Sequence, residues 1–187
     1  MKIIFLDIDG VLVNRETVCK HVDFEGQRLN PFHPDCVKNL NKIIEATGAK
    51  IVVSSSWRSD NEEVWTSLLF YFTNQGVKQR PIDKTPDLSH YKNENGLWTT
   101  RQRGEEIKAW LDAHPGQIEQ FVVIDDSSDM DAVRDNFVHI ENGMEKGLES
   151  HHAESAILIL SQPRTEVMAT PSKSTAASKA AQEEGTK

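Results

Sequence analysis

Residues 5–11 read FLDIDGV and close a run that begins KIIFLD at residues 2–7. Lys2 apart, that run is apolar at every position up to Asp7. A strand with one wet face alternates apolar and polar side chains. An unbroken apolar run is instead the pattern of a strand covered on both faces. This one ends in two carboxylates, Asp7 and Asp9, with Ile8 between them. Residues two apart along an extended chain point the same way, so both carboxylates face one side. Like charges that close raise each other's affinity for protons unless a cation shares the space. Gly10 then lets the chain turn sharply with no side chain in the way.

Outward from this strand, HPDCVKNLNKIIEATG (33–48) carries Val37, Leu40, Ile43 and Ile44 at helical spacing, with Pro34 near its start and Gly48 as its stop. AKIVVSSS (49–56) predicts a second buried strand and NEEVWTSLLFYF (61–72) a helix. RGEEIKAWLDAH (103–114) predicts another helix, with Ile107, Trp110 and Leu111 on one face, and EQFVVIDD (119–126) a third buried strand. NFVHI (136–140) predicts a fourth strand after a short helix around 129–134, and residues 148–160 a closing helix. Alternating helices and all-apolar strands predict an α/β fold, a parallel central sheet flanked by helices. Ligands of such sheets bind beyond the C-terminal ends of the strands. Three strands end there in polar side chains: Asp7 and Asp9, then Ser54, Ser55 and Ser56, then Asp125 and Asp126. These ends are expected to converge.

The chain has 187 residues, a formal net charge of −8 and 37% hydrophobic residues, enough for one domain with a real core. Composition changes near Ser161. Residues 161–187, SQPRTEVMATPSKSTAASKAAQEEGTK, offer little apolar surface to offset ordering entropy. They predict a disordered tail after a domain spanning residues 1–160. The acidic balance argues against non-specific wrapping of nucleic acid, although a small basic patch beside an acidic site remains compatible with it. No long apolar run or basic amphipathic helix points to a membrane. The two cysteines, Cys19 and Cys36, lie in no CxxC or CxxH pattern, which argues against zinc and for a reduced compartment. The first apolar run stops at Asp7, too short for a signal segment. A cytoplasmic protein is expected.

Four carboxylates in one crevice need neutralising. Mg²⁺ prefers oxygen ligands, so it is the expected cofactor, with Asp7, Asp9, Asp125 and Asp126 as the ligand candidates. Arg103 starts a predicted helix and Arg101 lies just before it. A helix N-terminus and an Arg side chain both suit an anion such as phosphate. DIDGVL, a serine at a strand end, a basic residue at a helix start and DD resemble, in that order, the four motifs of the haloacid dehalogenase (HAD) superfamily. The resemblance covers residues 1–150. DxDG alone also occurs in calcium loops, but the residues after it lack EF-hand spacing. FLDIDGVL, SSSWR (54–58), TP (85–86), RGEEIKAWL and VVIDD resemble more closely the HAD domain of Swiss Army Knife RNA-repair proteins and of stand-alone phage and bacterial relatives. SSSWR is the most specific of these.

The resemblance implies a HAD-like Rossmannoid fold and a phosphatase, by analogy with the 3′-phosphatase half of polynucleotide kinase-phosphatases. It makes Asp7 a nucleophile that forms an aspartyl-phosphate, and Asp9 the acid that protonates the leaving alcohol and then activates water. It implies Mg²⁺ held by Asp7, by the Asp9 backbone carbonyl and by Asp126. Asp125 would ligate through water or orient a basic residue, and Asp129 would stand further out. Ser55 would hold a phosphoryl oxygen, with Ser54 and Ser56 as alternatives of register. Arg103 would clamp the phosphoryl group, and Ser56, Arg58 and Gly10 would complete the substrate site. Each residue also has a plainer reading: turn-forming aspartates, capping serines, a surface charge at Arg58, an ordinary first-turn Arg103. A cation there opposes the helix dipole, which favours a functional reason for it. Trp57, Trp65, Trp98 and Trp110 read as packing rather than base stacking. His21, His33, His151 and His152 read as surface or capping residues.

The stretch from Leu12 to Phe32 has room for a hairpin flap, not a domain. That from Ser56 to Arg103 holds core helix, a short strand and a polar loop. No large cap domain is expected, so the site should accept bulky substrates, with Lys84, Lys92, Arg101 and Arg103 as contacts. The resulting expectation is a Mg²⁺-dependent phosphomonoester hydrolase acting on nucleotide or polynucleotide 3′-end phosphates, with a separate repair enzyme as a partner in trans. The alternatives are a small-molecule phosphatase such as a 5′(3′)-nucleotidase, with a flap from residues 15–31, or a non-catalytic module that binds a phosphorylated ligand. The intact Asp7/Asp9 and Asp125/Asp126 pairs count against the last.

Overall fold

The computed structural model describes residues 1–24, 26–88, 91–92, 96, 98–99 and 102–163. Arg101, the tail from residue 164 and the side chain of Lys92 lie outside the described residues. The expectations placed on them end there.

Five strands form an all-parallel sheet: β1 (Lys2–Leu6), β4 (Lys50–Val53), β5 (Asp83–Lys84), β8 (Gln120–Asp125) and β9 (Phe137–His139). Their order is β5-β4-β1-β8-β9. The chain builds outward from β1 in one direction and then returns to build in the other. The two halves therefore diverge at the C-terminal end of β1, where a crevice opens. Register makes that end flush, because Leu6 pairs with both Val53 and Ile124. The next residue on each strand is Asp7, Ser54 or Asp125. Asp7 N donates to Ile124 O at 3.0 Å and Ser54 N to Leu6 O at 2.9 Å, so the ladder holds up to the polar residues.

Both faces of β1 are buried, as its continuous apolar run requires. Ile4 and Leu6 join Ile51, Val53, Val122 and Ile124 on one face. Helices α1 (Pro34–Thr47), α2 (Glu62–Asn74) and α5 (Ser150–Ser161) cover them with Leu40, Ile43, Leu68, Phe72, Ala156 and Leu160. Ile3, Phe5, Val52 and Val123 face α3 (Arg103–Ala113), where they meet Ile107 and Trp110. Phe5 and Trp110 pack edge to face with centroids 5.3 Å apart. Each such side chain contributes about 1.5–3 kcal/mol when fully buried. Helix α1 begins where expected: Pro34 occupies its first turn and the His33 Nδ1 accepts from Asp35 N. Gly48, at φ 68°, ends it in the left-handed conformation.

The expected flap is a hairpin of β2 (Val22–Phe24) and β3 (Gln27–Leu29). A second hairpin, β6 (Tyr91–Lys92) and β7 (Trp98–Thr99), lies between α2 and α3. Among the described residues neither insertion holds a domain. The helix expected around 129–134 is a 3-10 turn over Asp131–Asn136, which Val133 interrupts with non-helical φ and ψ. A short helix, α4 (Gly143–Lys146), had no apolar periodicity to announce it. Among the described residues no helix is long and apolar enough to cross a membrane.

Candidate active site

Asp7 is buried at the end of β1 and Asp125 is fully buried at the end of β8. The chain leaves β1 in a tight loop, with Gly10 N donating to Val13 O at 2.8 Å. Gly10 sits at φ +75°, and a Cβ on it would lie 2.0 Å from Asp126 Oδ2. Gly143, at the start of α4, is under the same constraint: a Cβ there would lie 2.4 Å from Gly10 O and 2.6 Å from Asp126 Cβ. Asp126 is thus wedged between two glycines. Gly10 belonged to the expected site and Gly143 did not, since nothing in ENGMEKG marks a close approach from across the fold.

Arg103 comes to this point from α3. Its Nη1 lies 3.0 Å from Asp7 Oδ1 and 2.8 Å from Asp125 Oδ2. The same nitrogen donates to Ser54 O at 3.2 Å. Asp129 seats the helix that carries it, accepting from Arg103 N at 2.9 Å and from the Ser127 hydroxyl at 2.7 Å. Gln102, at the N-cap position, makes no side-chain cap of its own, so Asp129 supplies the missing one from another element. Burial pushes the Asp129 carboxyl up, but these donors outweigh it and the net effect is downward. Burial raises Asp7, against the pull of Arg103 and a hydrogen bond from Ser55. It also raises Asp125, to about 7, with Asp7 adding to the rise and Arg103 opposing it. Asp126 is raised by burial too, with the nearby Asp9 charge adding to it. A single guanidinium does not satisfy this group of carboxylates.

Ser55 is the serine that reaches Asp7, as the favoured register required. Ser54 is fully buried and offers its carbonyl to Arg103, while Ser56 is exposed. Trp57, expected to pack, also donates from Nε1 to Asp9 Oδ2 at 2.8 Å. Arg58 is neither a surface charge nor paired with Asp7, Asp125 or Asp126. Its Nη2 lies 2.8 Å from Glu106 Oε2 and 3.5 Å from Asp87, and its Nη1 donates to Ser55 O. Glu106, one turn after Arg103, also accepts from Leu88 N at 2.8 Å. Burial pushes the Glu106 carboxyl up, with the Leu88 N–H and Arg58 working against it. Lys84 is likewise committed, to Asp60 at 2.9 Å and to the Ser59 carbonyl.

Asp7, Asp125 and Asp126 each offer an oxygen, all within 4.8 Å of one another. An all-oxygen, acidic donor set fits a hard divalent cation rather than zinc or copper. The Asp9 carboxylate is not part of that group. Glu149, His151 and His152 form a second such cluster. Glu149 and His152 there make a capping box for α5, and His152 Nδ1 accepts from Glu149 N at 3.1 Å.

The family described as the HAD domain in Swiss Army Knife RNA repair proteins matches residues 3–153. The chain belongs to this family. The match runs from β1 into α5, so it includes every element that carries the carboxylates and Arg103. HAD domains form a superfamily of hydrolases and phosphatases that generally use a divalent metal, and this chain carries an acidic cluster at its strand ends. No curated protein matches the chain significantly.

Proposed function

We propose that this HAD domain is a Mg²⁺-dependent phosphomonoester hydrolase that works through an aspartyl-phosphate on Asp7. The observation that carries the reading is the bridge from Arg103 Nη1 to Asp7 and Asp125 at a strand end, with Asp9 two residues on. A bound Mg²⁺ would supply charge neutralisation and orientation for the phosphoryl group, with Asp7, Asp125 and Asp126 holding it. The remaining chemistry belongs to the chain. An Asp7 oxygen attacks phosphorus while the bond from phosphorus to the ester oxygen breaks. Asp9 gives its proton to that oxygen, which leaves as the alcohol. Asp9 then takes a proton from water, the water oxygen attacks phosphorus, and the bond to Asp7 breaks to release inorganic phosphate. Arg103 keeps Asp7 in one rotamer throughout, because a guanidinium does not lose its proton. Ser55 holds Asp7 from the other side.

The family's connection with RNA repair and the absence of a cap domain among the described residues support a nucleotide or polynucleotide 3′-phosphate as substrate. An open crevice admits a strand end that a lid would exclude. The β2–β3 hairpin favours a second reading, a mononucleotide phosphatase closed by that flap. The test is phosphate release from a 3′-phosphorylated oligonucleotide and the matching 3′-mononucleotide, with Mg²⁺ or EDTA. Metal-dependent release that prefers the oligonucleotide and is absent in Asp7→Asn supports end-healing. Preference for the mononucleotide supports the second reading. No release from either ester overturns both.

A further inference from the structure

We propose that Trp57 is a positioning residue for the acid step: its indole N–H fixes the Asp9 carboxyl so that Oδ1 carries the proton to the leaving group. The inference rests on the phosphatase reading above.

Three observations meet at this residue. Trp57 Nε1 donates to Asp9 Oδ2 at 2.8 Å, the ordinary length of a hydrogen bond to a carboxylate oxygen. The ring that carries this N–H has little freedom. It packs against Phe32 and Tyr71, each with its centroid 6.2 Å away. Those rings are fixed in turn, because Phe32 meets Tyr71 and Phe72 edge to face and the Tyr71 hydroxyl donates to Asn30 O at 2.9 Å. The acid it holds is itself fixed, because the backbone of Asp9 is bridged to Val13. Asp9 is thus anchored at its main chain by one contact and at its carboxyl by another.

The chemistry follows from what an indole can do. Its nitrogen only donates and cannot take a proton at any working pH. It pairs best with the carboxyl oxygen that bears no hydrogen, so the acidic hydrogen resides on Oδ1. The same bond keeps the carboxylate away from the oxygen cluster of Asp7, Asp125 and Asp126, to which its side chain does not belong. Without the N–H the Asp9 carboxyl can rotate, and the proton is no longer aimed. Trp57 also donates from its backbone N to the Ser55 hydroxyl at 3.4 Å. One residue therefore touches both the acid and the serine that holds the nucleophile.

Leaving groups separate this role from a structural one. A p-nitrophenolate leaves without help from an acid, whereas an alkoxide needs the proton. Trp57→Phe keeps the ring and removes the donor. The expected result is a roughly tenfold to hundredfold loss of kcat/KM on an alkyl phosphate such as glycerol phosphate, with less than about threefold loss on p-nitrophenyl phosphate. Asp9→Asn should show the same asymmetry, only larger. Retained aryl phosphatase activity also reports that the variant is folded. Equal losses on both esters overturn the proposal in favour of a packing role, and so does no loss on either. Wild type inactive on both esters and on the 3′-phosphorylated oligonucleotide overturns the phosphatase reading itself. The hydrogen bond is read separately, from the Trp57 indole ¹H–¹⁵N resonance, identified by its absence in Trp57→Phe. It should move upfield in Asp9→Asn, and an unmoved resonance overturns the bond whatever the activity.

Discussion

Glu106→Ala tests whether the ion pair behind the site holds its two halves together. Arg58 sits on the turn that carries Ser55 and Trp57, and Glu106 sits one turn along α3 from Arg103. Their contact is 2.8 Å, with side-chain exposures of 10% and 4%. Removing the carboxylate leaves a buried guanidinium, whose Nε lacks a partner among the described residues, and strips the Leu88 N–H of its acceptor. Breaking one side of a buried pair costs about 3–5 kcal/mol. Asp87, 3.5 Å from the same Nη2 but more than half exposed, can recover part of this, so the lower end is expected. A loss of about 3 kcal/mol corresponds to a Tm lower by about 6–12 °C for a domain of this size. Urea melts followed by circular dichroism give the free energy directly. The double change Arg58→Met with Glu106→Leu should recover most of it, since two matched apolar groups leave no charge stranded. A loss under about 1 kcal/mol for Glu106→Ala would show that Arg58 re-pairs with Asp87 and that the buried bridge is not what holds the turn to α3.

Gly143→Ala should cost more than tenfold in phosphatase kcat while the protein still folds, because its Cβ would meet Gly10 O and Asp126 Cβ; unchanged kcat would show that α4 gives way freely. Mg²⁺ at about 100 times its Kd should add about 2.7 kcal/mol of stability, read as a thermal shift that EDTA reverses and that Asp126→Asn removes. An equal shift in Asp126→Asn would place the cation elsewhere. Asp129→Asn should lower stability by about 0.3–1 kcal/mol at neutral pH through loss of the negative charge at the N-terminus of α3. The Asp129 carboxyl is held below its usual value, so its contribution is full above the unfolded pKa of about 3.9 and fades as pH falls through the folded value. Wild type and Asp129→Asn should therefore converge in denaturation melts once the pH falls below the folded value, and a constant gap would contradict the cap. Iodoacetamide at pH 8 should modify exposed Cys19 and spare buried Cys36, whose thiol is pushed up to about 11; rapid loss of both thiols would show that the α1 face opens.

What the sequence disclosed and what it withheld divide along a physical line. Apolar continuity up to Asp7, Val53 and Ile124 marks buried parallel strands, and a parallel ladder without bulges makes their ends flush. Asp7, Ser55, Asp125, Asp126 and Arg103 could therefore be assembled without coordinates, because each stands at a strand or helix terminus and termini are legible from periodicity. The partners that hold them in place are of another kind. Trp57 with Asp9, Arg58 with Glu106, and Asp129 with the Arg103 N–H join residues far apart in sequence at positions with no periodic signature. Trp57 reads as packing because its ring does pack, and only its one donor atom has a further role. Arg58 and Lys84 read as substrate contacts because a sequence shows a cation's sign and not its neighbour. α4 escaped notice because four residues are too few for a helical pattern, yet its Gly143 sets how closely the loop after β9 approaches Asp126. A strand end thus announces the reacting groups, while the orientation of those groups is set by contacts that only the folded chain creates. That is why Asp9 is legible in the sequence and the hydrogen bond it receives from Trp57 is not.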